Sequence, residues 1–256
     1  MNSIIKTVVG IFSASLILAT SAPTVSAATM PAPQAAAGQQ QPTLSSSRAF
    51  KTLTPGQKEI LSHMSIVYLD DGKGGTVKTL RIGGINVQIV NDLGSTATVN
   101  GLGNLTVGYN ELRGAADDRT GSHNLVVGSE NNYKSYGGLL GGFRNEVSAP
   151  WSSVSGGWAN TASGNYSSVS GGSYNTSSGN YSSVSGGLEN KAIGKNSSVS
   201  GGWENEAIGF KSWVSGGHSN TANTLNSSVS GGASNTASGT NSSVSGGINN
   251  TAIGNY

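Results

Sequence analysis

The sequence contains no cysteine, and only 10% of its residues are charged. The absence of cysteine excludes a disulfide framework, so the fold must be held together by backbone pairing and packing. Lysine and arginine total 14 against 12 aspartates and glutamates, which makes the chain nearly neutral. It lacks the clustered basic residues of a nucleic-acid-binding surface. The one apolar run near the N-terminus is too short to span a bilayer as a permanent helix, and no later segment is apolar enough to do so.

The scarcity of acids and bases also argues against catalysis. No Ser–His–Asp set, paired carboxylate site or phosphate-binding loop can be assembled. The three histidines are scattered, without cysteine or carboxylate neighbours at metal-ligand spacing: His63, His123 and His218. The pair Asp70–Asp71 lacks the alternating ligands and closing glutamate of a calcium loop, which favours a plain hairpin turn. The sequence therefore predicts a non-enzyme with no catalytic residue, no metal site and no cofactor.

The N-terminus has the pattern of an export signal. Lys6 precedes an apolar run over 8–19, and small residues follow at 25–27. This pattern predicts a signal peptide over 1–27 and a protein that is secreted or held at the outer cell surface. Residues 28–47 are rich in Ala, Pro, Gln and Ser, which predicts a disordered linker.

Residues 48–100 have ordinary composition and predict a small α+β segment. Thr54, followed by Pro55 and then Gln57, fits an N-cap, a first-turn proline and a capping box, so a helix is expected from Pro55 to about residue 64. Three β-branched runs separated by glycine-rich turns predict strands over 65–69, 76–82 and 85–90.

Glycine, with 39 residues, is abundant and recurs at a long period. Residues 152–256 are seven tandem 15-residue units, from SSVSGGWANTASGNY to SSVSGGINNTAIGNY. A fixed short period is the pattern of a solenoid in which each unit forms one coil. Residues 101–151 contain degenerate coils, GNLTVG (103–108) and HNLVVG (123–128), separated by a hydrophilic loop over 115–122. The fold class predicted is all-β, a parallel β-solenoid of 15-residue coils behind the small helix-plus-strands segment.

The columns of the repeat predict which side chains face inward. Valine recurs at one position of every unit: Val154, Val169, Val184, Val199, Val214, Val229 and Val244. Because side chains alternate across a strand, inward valine places the serines on either side of it outward. Stacked asparagines, as in Asn160, Asn175 and Asn190, are expected to hydrogen-bond along the axis. The glycine pair and a later glycine are expected to make two turns, and alanine is the second inward column.

One valine and one alanine per coil make a thin core, so association of several chains is expected. Ile193, Ile208 and Ile253 follow the inward alanine column and should point out of the coil, as candidate inter-chain contacts. The position after the glycine pair varies and is sometimes aromatic, which suits either unconstrained turn tips or a contact surface. The residues singled out for partner contact in this region are Trp158, Tyr174, Leu188, Trp203, His218 and Ile248.

These motifs resemble the head repeats of trimeric autotransporter adhesins, the YadA-like or Hep/Hag type. SVSGG (153–157) and NTASG (160–164) correspond to the two halves of that family's unit, and NLTVG (104–108) and NLVVG (124–128) are similar to its strand. The resemblance covers 103–256, without the family's coiled-coil stalk or membrane anchor. It implies a left-handed parallel β-roll, a homotrimer and display outside a Gram-negative cell.

The expected function is therefore that of a secreted or surface-displayed structural or adhesive repeat protein. Its expected partners are other copies of itself and an extracellular matrix protein, a cell or another surface. Two alternatives stay open. Parallel columns of outward serine could form a regular hydroxyl lattice for ice or a crystal surface, and similar repeats occur in phage-tail-like fibre shafts.

Overall fold

The computed structural model describes residues 53–109 and 111–255. The predicted signal peptide (1–27) and linker (28–47) lie outside the described residues. The chain divides after Val87 into two compact units, and the second unit begins at Gln88. The first unit contains a helix and a hairpin, and the second is the solenoid.

The first unit begins with helix α1 (Pro55–Ser62), which has the predicted capping box between Thr54 and Gln57. Strands β1 (Met64–Asp70) and β2 (Thr76–Ile82) pair antiparallel. The turn between them is a plain hairpin turn, in which the Asp71 carboxylate accepts hydrogen bonds from the backbone N–H groups of Lys73 and Gly75. These two bonds lower the pKa of Asp71.

The strand predicted over 85–90 was wrong, because those residues have no strand partner. Propensity alone does not make a strand without a neighbour to pair with. The helix also ends earlier than expected. His63 caps it, and β1 starts at Met64.

The second unit is a parallel β-solenoid of about nine turns, built from two sheets that alternate along the chain. The first sheet contains β3 (Leu105–Val107), β4 (Leu125–Ser129), β6 (Leu139–Phe143), β8 (Ser153–Val154), β10 (Ser168–Val169), β12 (Ser183–Val184), β14 (Ser198–Val199), β16 (Trp213–Val214), β18 (Ser228–Val229) and β20 (Ser243–Val244). The second sheet contains β5 (Asn132–Tyr133), β7 (Glu146–Val147), β9 (Thr161–Ala162), β11 (Thr176–Ser177), β13 (Lys191–Ala192), β15 (Glu206–Ala207), β17 (Thr221–Ala222), β19 (Thr236–Ala237) and β21 (Thr251–Ala252).

The predicted register is confirmed. Val169 pairs in parallel with Val154 and Val184, one 15-residue unit away on each side. The coils before the regular repeat are less uniform. Leu125 pairs with Leu139 fourteen residues later and with Leu105 twenty residues earlier, because the loop over 115–122 is inserted there.

That inserted loop covers the open side of β5. The Asp118 carbonyl accepts a hydrogen bond from the Tyr133 N–H, and the Gly121 N–H donates to the Tyr133 carbonyl. The Asn132 amide also donates to the Ala116 carbonyl at 2.8 Å. The loop therefore satisfies backbone groups that the first strand of the second sheet would otherwise expose.

The interior has four side-chain columns in each regular coil, not the two predicted. Valine and alanine are fully buried, as expected, in every regular coil before the last, with Ser177 in one alanine position. In the last coil Val244 is 8% exposed and Ala252 is half-buried. The first serine of each unit and the repeated asparagine are also buried, as at Ser152 and Asn160. The expectation of one valine and one alanine per coil was therefore incomplete, because half of the interior is polar.

The asparagine column forms a continuous hydrogen-bonded ladder, which confirms the predicted stacking. The Asn160 N–H donates to Asn145 Oδ1 at 2.8 Å. Its own amide nitrogen donates to the carbonyls of Gly156, at 3.2 Å, and Gly172, at 2.9 Å. Each asparagine thus joins a turn in its own coil to the neighbouring coils, and its buried donors are satisfied.

Both predicted turns are present, and glycine is required for a different reason in each. Gly157 has a φ of 86°, and a Cβ there would also collide with the Gly172 carbonyl. Gly164 is required instead because a Cβ would collide with the Gly179 carbonyl in the next coil. The left-handed turn near Gly164 falls two residues later, at Tyr166, with a φ of 58°.

We expect substitution by alanine to destabilise the fold at one member of a glycine pair and to have little effect at the other. Gly157→Ala should destabilise the solenoid by about 1–3 kcal/mol or more, because it combines a positive φ with a collision against backbone. Gly156→Ala should be nearly neutral, since no atom lies within 4 Å of the position that its Cβ would take. Thermal melts followed by circular dichroism measure both, and equal melting temperatures for the two variants would contradict the assignment.

Candidate functional site

The variable column after the glycine pair is a continuous ladder and not a set of free turn tips. Each member pairs in parallel with the equivalent residue of the next coil, as in Trp158 with Ser173 and Leu188 with Trp203. We call this column, together with the residue that follows each member, the first edge. Its ladder members are Trp158, Ser173, Leu188, Trp203, His218, Ala233 and Ile248.

Two pairs of rings on the first edge are in contact between adjacent coils. Trp158 and Tyr174 have ring centroids 4.9 Å apart, and Trp203 and His218 stack at 4.4 Å. These four side chains are nonetheless exposed, Trp158 at 44% and Trp203 at 46%. Leu188 and Ile248 are exposed as well. The predicted contact residues therefore lie on one exposed edge, where rings and apolar side chains recur at coil spacing.

The backbone holds this edge rigidly. The second residue of each edge pair is left-handed, with φ between 56° and 58° at Tyr174, Glu189 and Glu204. In that conformation its N–H points back to the previous coil. The Tyr174 N–H donates to the Trp158 carbonyl and the Glu189 N–H to the Ser173 carbonyl, both at 3.0 Å. The backbone of the first edge is therefore held by hydrogen bonds to the neighbouring coils, which fixes the direction in which each side chain leaves the main chain.

An open cavity of about 350 Å³ lies where the first edge meets the second sheet. It is lined by Tyr174, Glu189, Lys191, Glu204, Glu206, Ser219 and Thr221. Lys191 Nζ donates to Glu206 Oε1 at 2.7 Å, and this hydrogen bond, reinforced by the charge of Glu206, raises the pKa of Lys191. Glu189 and Glu204 are adjacent members of the first edge, so the cavity has an excess of negative charge.

The opposite turn of the coil forms a second exposed edge that the sequence interpretation missed. We define the second edge as Asn165, Asn180, Lys195, Phe210, Leu225 and Thr240, with the residue that follows each of them. Tyr166 and Tyr181 stack with centroids 5.0 Å apart and planes 3° apart. Lys211 Nζ lies 5.2 Å from the Phe210 ring centroid. The recurrence of tyrosine at 166 and 181 was the available sequence signal.

The outward faces of the sheets carry the predicted hydroxyl columns. The serines after valine, such as Ser155, are exposed, and those before it are mostly half-buried. Trp213 interrupts the latter column and is 40% exposed. Ile193 and Ile253 point outward, as expected, at 41% and 76% exposure, whereas Ile208 is half-buried. Among the described residues, no group of three or more histidines, aspartates or glutamates could hold a metal ion.

In the part of the chain that the structure describes, no helix has the length and apolar character needed to cross a bilayer. No protein-family model matches the sequence, and no curated protein is significantly similar to it. The two edges and the outward sheet faces are therefore the features from which a function can be inferred.

Proposed function

We propose that this chain is a secreted or surface-displayed structural and adhesive repeat protein that acts by contact and not by catalysis. The observation that supports the proposal is the first edge, a row of exposed rings and apolar side chains held by ladder bonds at every coil. Tryptophan and tyrosine are the residues most enriched at the centres of protein contacts. Because the backbone of the edge is already rigid, little conformational entropy is lost when a partner binds.

The chemistry of the regular coils supports contact over catalysis. Their abundant serines either stack in outward columns or are buried, where Ser152 and Ser212 donate to carbonyls three residues earlier. A serine nucleophile needs an adjacent base, and His218 instead stacks on Trp203 beside Glu204. The serines are therefore interpreted as ladder residues.

Self-association belongs to the same proposal, as a homotrimer. Phe210 and Leu225 are large apolar side chains that lie outside the coil, each at 41% exposure. Inside the coil, valine and alanine supply the apolar burial, beside serine and asparagine. Burial of the outer residues between chains adds the apolar contact that a single thin coil lacks.

Binding to ice or a crystal surface is less well supported. The exposed column that begins with Ser155 is unbroken, but Trp213 interrupts the neighbouring serine column, and the Lys191–Glu206 pair interrupts the threonine column of the second sheet. A lattice-matching surface needs a flat, repeating array, so contact with macromolecules or cells is favoured.

We expect the purified chain to adhere to immobilised matrix proteins or cells, and Trp203→Ala to weaken adhesion while the melting temperature changes little. Trp213→Ala is the matched control, because Trp213 has similar exposure but lies on the first sheet and not on the first edge. Light scattering on the same samples separates loss of contact from loss of assembly. Wild-type adhesion no greater than that of an unrelated neutral protein would overturn the proposal, and thermal hysteresis without adhesion would replace it with crystal binding.

A further inference from the structure

Charges on the two edges match coil by coil. The regular coils contain three glutamates and three lysines. One lysine and one glutamate, Lys191 and Glu206, pair with each other on the second sheet. The remaining glutamates, Glu189 and Glu204, lie on the first edge, and the remaining lysines lie on the second edge of the same two coils. Glu189 shares its coil with Lys195, and Glu204 shares its coil with Lys211.

Apolar character follows the same rule. Three of the four coils that present a ring on the first edge also present one on the second: Trp158 with Tyr166, Tyr174 with Tyr181, and Trp203 with Phe210. The fourth, the coil of His218, presents the apolar Leu225 there. The coil over 227–241 has small and polar residues on both edges, Ala233 and Ser234 on one and Thr240 and Asn241 on the other. The two edges are therefore complementary at equal heights along the solenoid.

We propose that the first edge of one copy packs against the second edge of another copy, coil against coil, in a closed ring of chains. This inference rests on the self-association proposed above and names the surfaces that make it. In a cyclic assembly whose axis runs along the solenoid, equivalent coils lie at equal heights, so each edge meets the coil of the same number. Only such a heterologous contact sets Glu189 and Glu204 opposite Lys195 and Lys211.

The cavity beside the first edge fits this partner. Three carboxylates and one lysine line it, which leaves two negative charges without a lysine partner there. The second edge brings two lysines, one of them lying against the Phe210 ring. Tyr174 lines the cavity, and its ring can form a cation–π contact with a lysine of the second edge. A two-fold dimer through the first edge would instead oppose glutamate to glutamate, which costs several kcal/mol.

The decisive experiment is a charge swap on the full chain, followed by sedimentation or light scattering. The double variants Glu189→Lys with Glu204→Lys, and Lys195→Glu with Lys211→Glu, each place like charges across the contact. Both should associate roughly a hundredfold more weakly than wild type. The quadruple variant restores opposite charges in exchanged positions. It should assemble with itself but fail to exchange subunits with wild type. Added salt should weaken its association as much as it weakens the association of the wild-type chain.

Controls keep the outcome interpretable. Lys73→Glu with Lys78→Glu changes the net charge as much as the second double variant but lies in the first unit, and it should assemble normally. Circular dichroism should show an unchanged fold in all variants, because every altered side chain is exposed.

Each other outcome overturns the proposal in a distinct way. Double variants that assemble like wild type, or a quadruple variant that stays dissociated, would exclude pairing of these edges while leaving self-association intact. A wild-type chain that is monomeric at every concentration would overturn both this inference and the proposed homotrimer. A monomer that binds a lysine-rich peptide through Glu189 and Glu204 would assign the cavity to a foreign basic partner.

Discussion

Val199→Asp should abolish cooperative folding of the central coils. Val199 is 1% exposed, and its strand pairs with those of Val184 and Val214 on either side. The described interior offers no cation at this column, so the carboxylate would be buried without a partner. An uncompensated buried charge costs at least about 3–5 kcal/mol. Because each coil pairs with both neighbours, the damage should spread along the array.

Ser200→Asp is the matched control for that variant. Ser200 is the next residue along the chain, but it belongs to the exposed serine column. The same substitution there should change the free energy of unfolding by no more than about 0.5 kcal/mol. Denaturant melts must be run at one protein concentration, because association also stabilises the folded state. Similar losses in the two variants would show that the assignment of inward and outward columns is wrong.

The coil register was predictable because the units are nearly identical at a spacing of 15 residues. The burial of Ser152 was not recognised, because the alternation rule was applied only to the two serines that adjoin Val154. Ser152 lies two residues before Val154, so the same rule places it on the inward face. The role of Gly164 was also hidden, since a sequence cannot distinguish a positive φ from a close approach between coils.

The first edge was partly predictable and the second was not. Variable residues after a glycine pair indicated an exposed column, so Trp158 and Trp203 were found. The ring contact between Trp158 and Tyr174 joins two different columns of adjacent coils and depends on the left-handed backbone of Tyr174, which no propensity rule indicates. The second edge was overlooked because Lys195 and Phe210 share neither charge nor polarity. What they share is that each complements the first edge of its own coil, Lys195 opposite in charge to Glu189 and Phe210 aromatic like Trp203.

A first edge that is covered by a second copy, as inferred above, cannot also be the adhesive surface of the assembled protein, and the outward sheet faces are then the surfaces left for adhesion. The serine columns around valine and the threonine column that begins with Thr161 would then cover the outside of the assembly, with Trp213 as the large apolar residue on the first sheet. Loss of adhesion in Trp203→Ala would in that case accompany loss of mass, whereas loss in Trp213→Ala would not. The two tryptophans therefore separate an assembly surface from an adhesive one.

Asn205→Ala should strongly destabilise the regular coils, although it changes a polar residue. Asn205 Oδ1 accepts from the Asn220 N–H at 3.0 Å, and its amide nitrogen donates to the carbonyls of Gly201, at 3.0 Å, and Gly217, at 2.9 Å. Alanine would leave the Asn220 N–H and the Gly201 carbonyl without these bonds, whereas the Gly217 carbonyl would keep its bond from the Trp203 N–H. Each unsatisfied group costs about 1–3 kcal/mol, so a loss of about 2–5 kcal/mol is expected in denaturant melts. Asn165→Ala, at an exposed position on the second edge, should lose less than about 1 kcal/mol.

Asn205→Asp tests whether hydrogen bonding, and not side-chain volume, is responsible. Aspartate keeps the shape and the acceptor for the Asn220 N–H, but at neutral pH it cannot donate and it buries a charge beside the Gly201 and Gly217 carbonyls. Burial raises the pKa of such a carboxyl above its unfolded value of about 3.9, so the folded state binds the proton more tightly. The free energy of unfolding of this variant should therefore rise as the pH falls from neutral towards the unfolded pKa, because the protonated carboxyl regains one donor. A variant as stable as wild type at neutral pH would show that the asparagine ladder contributes shape alone.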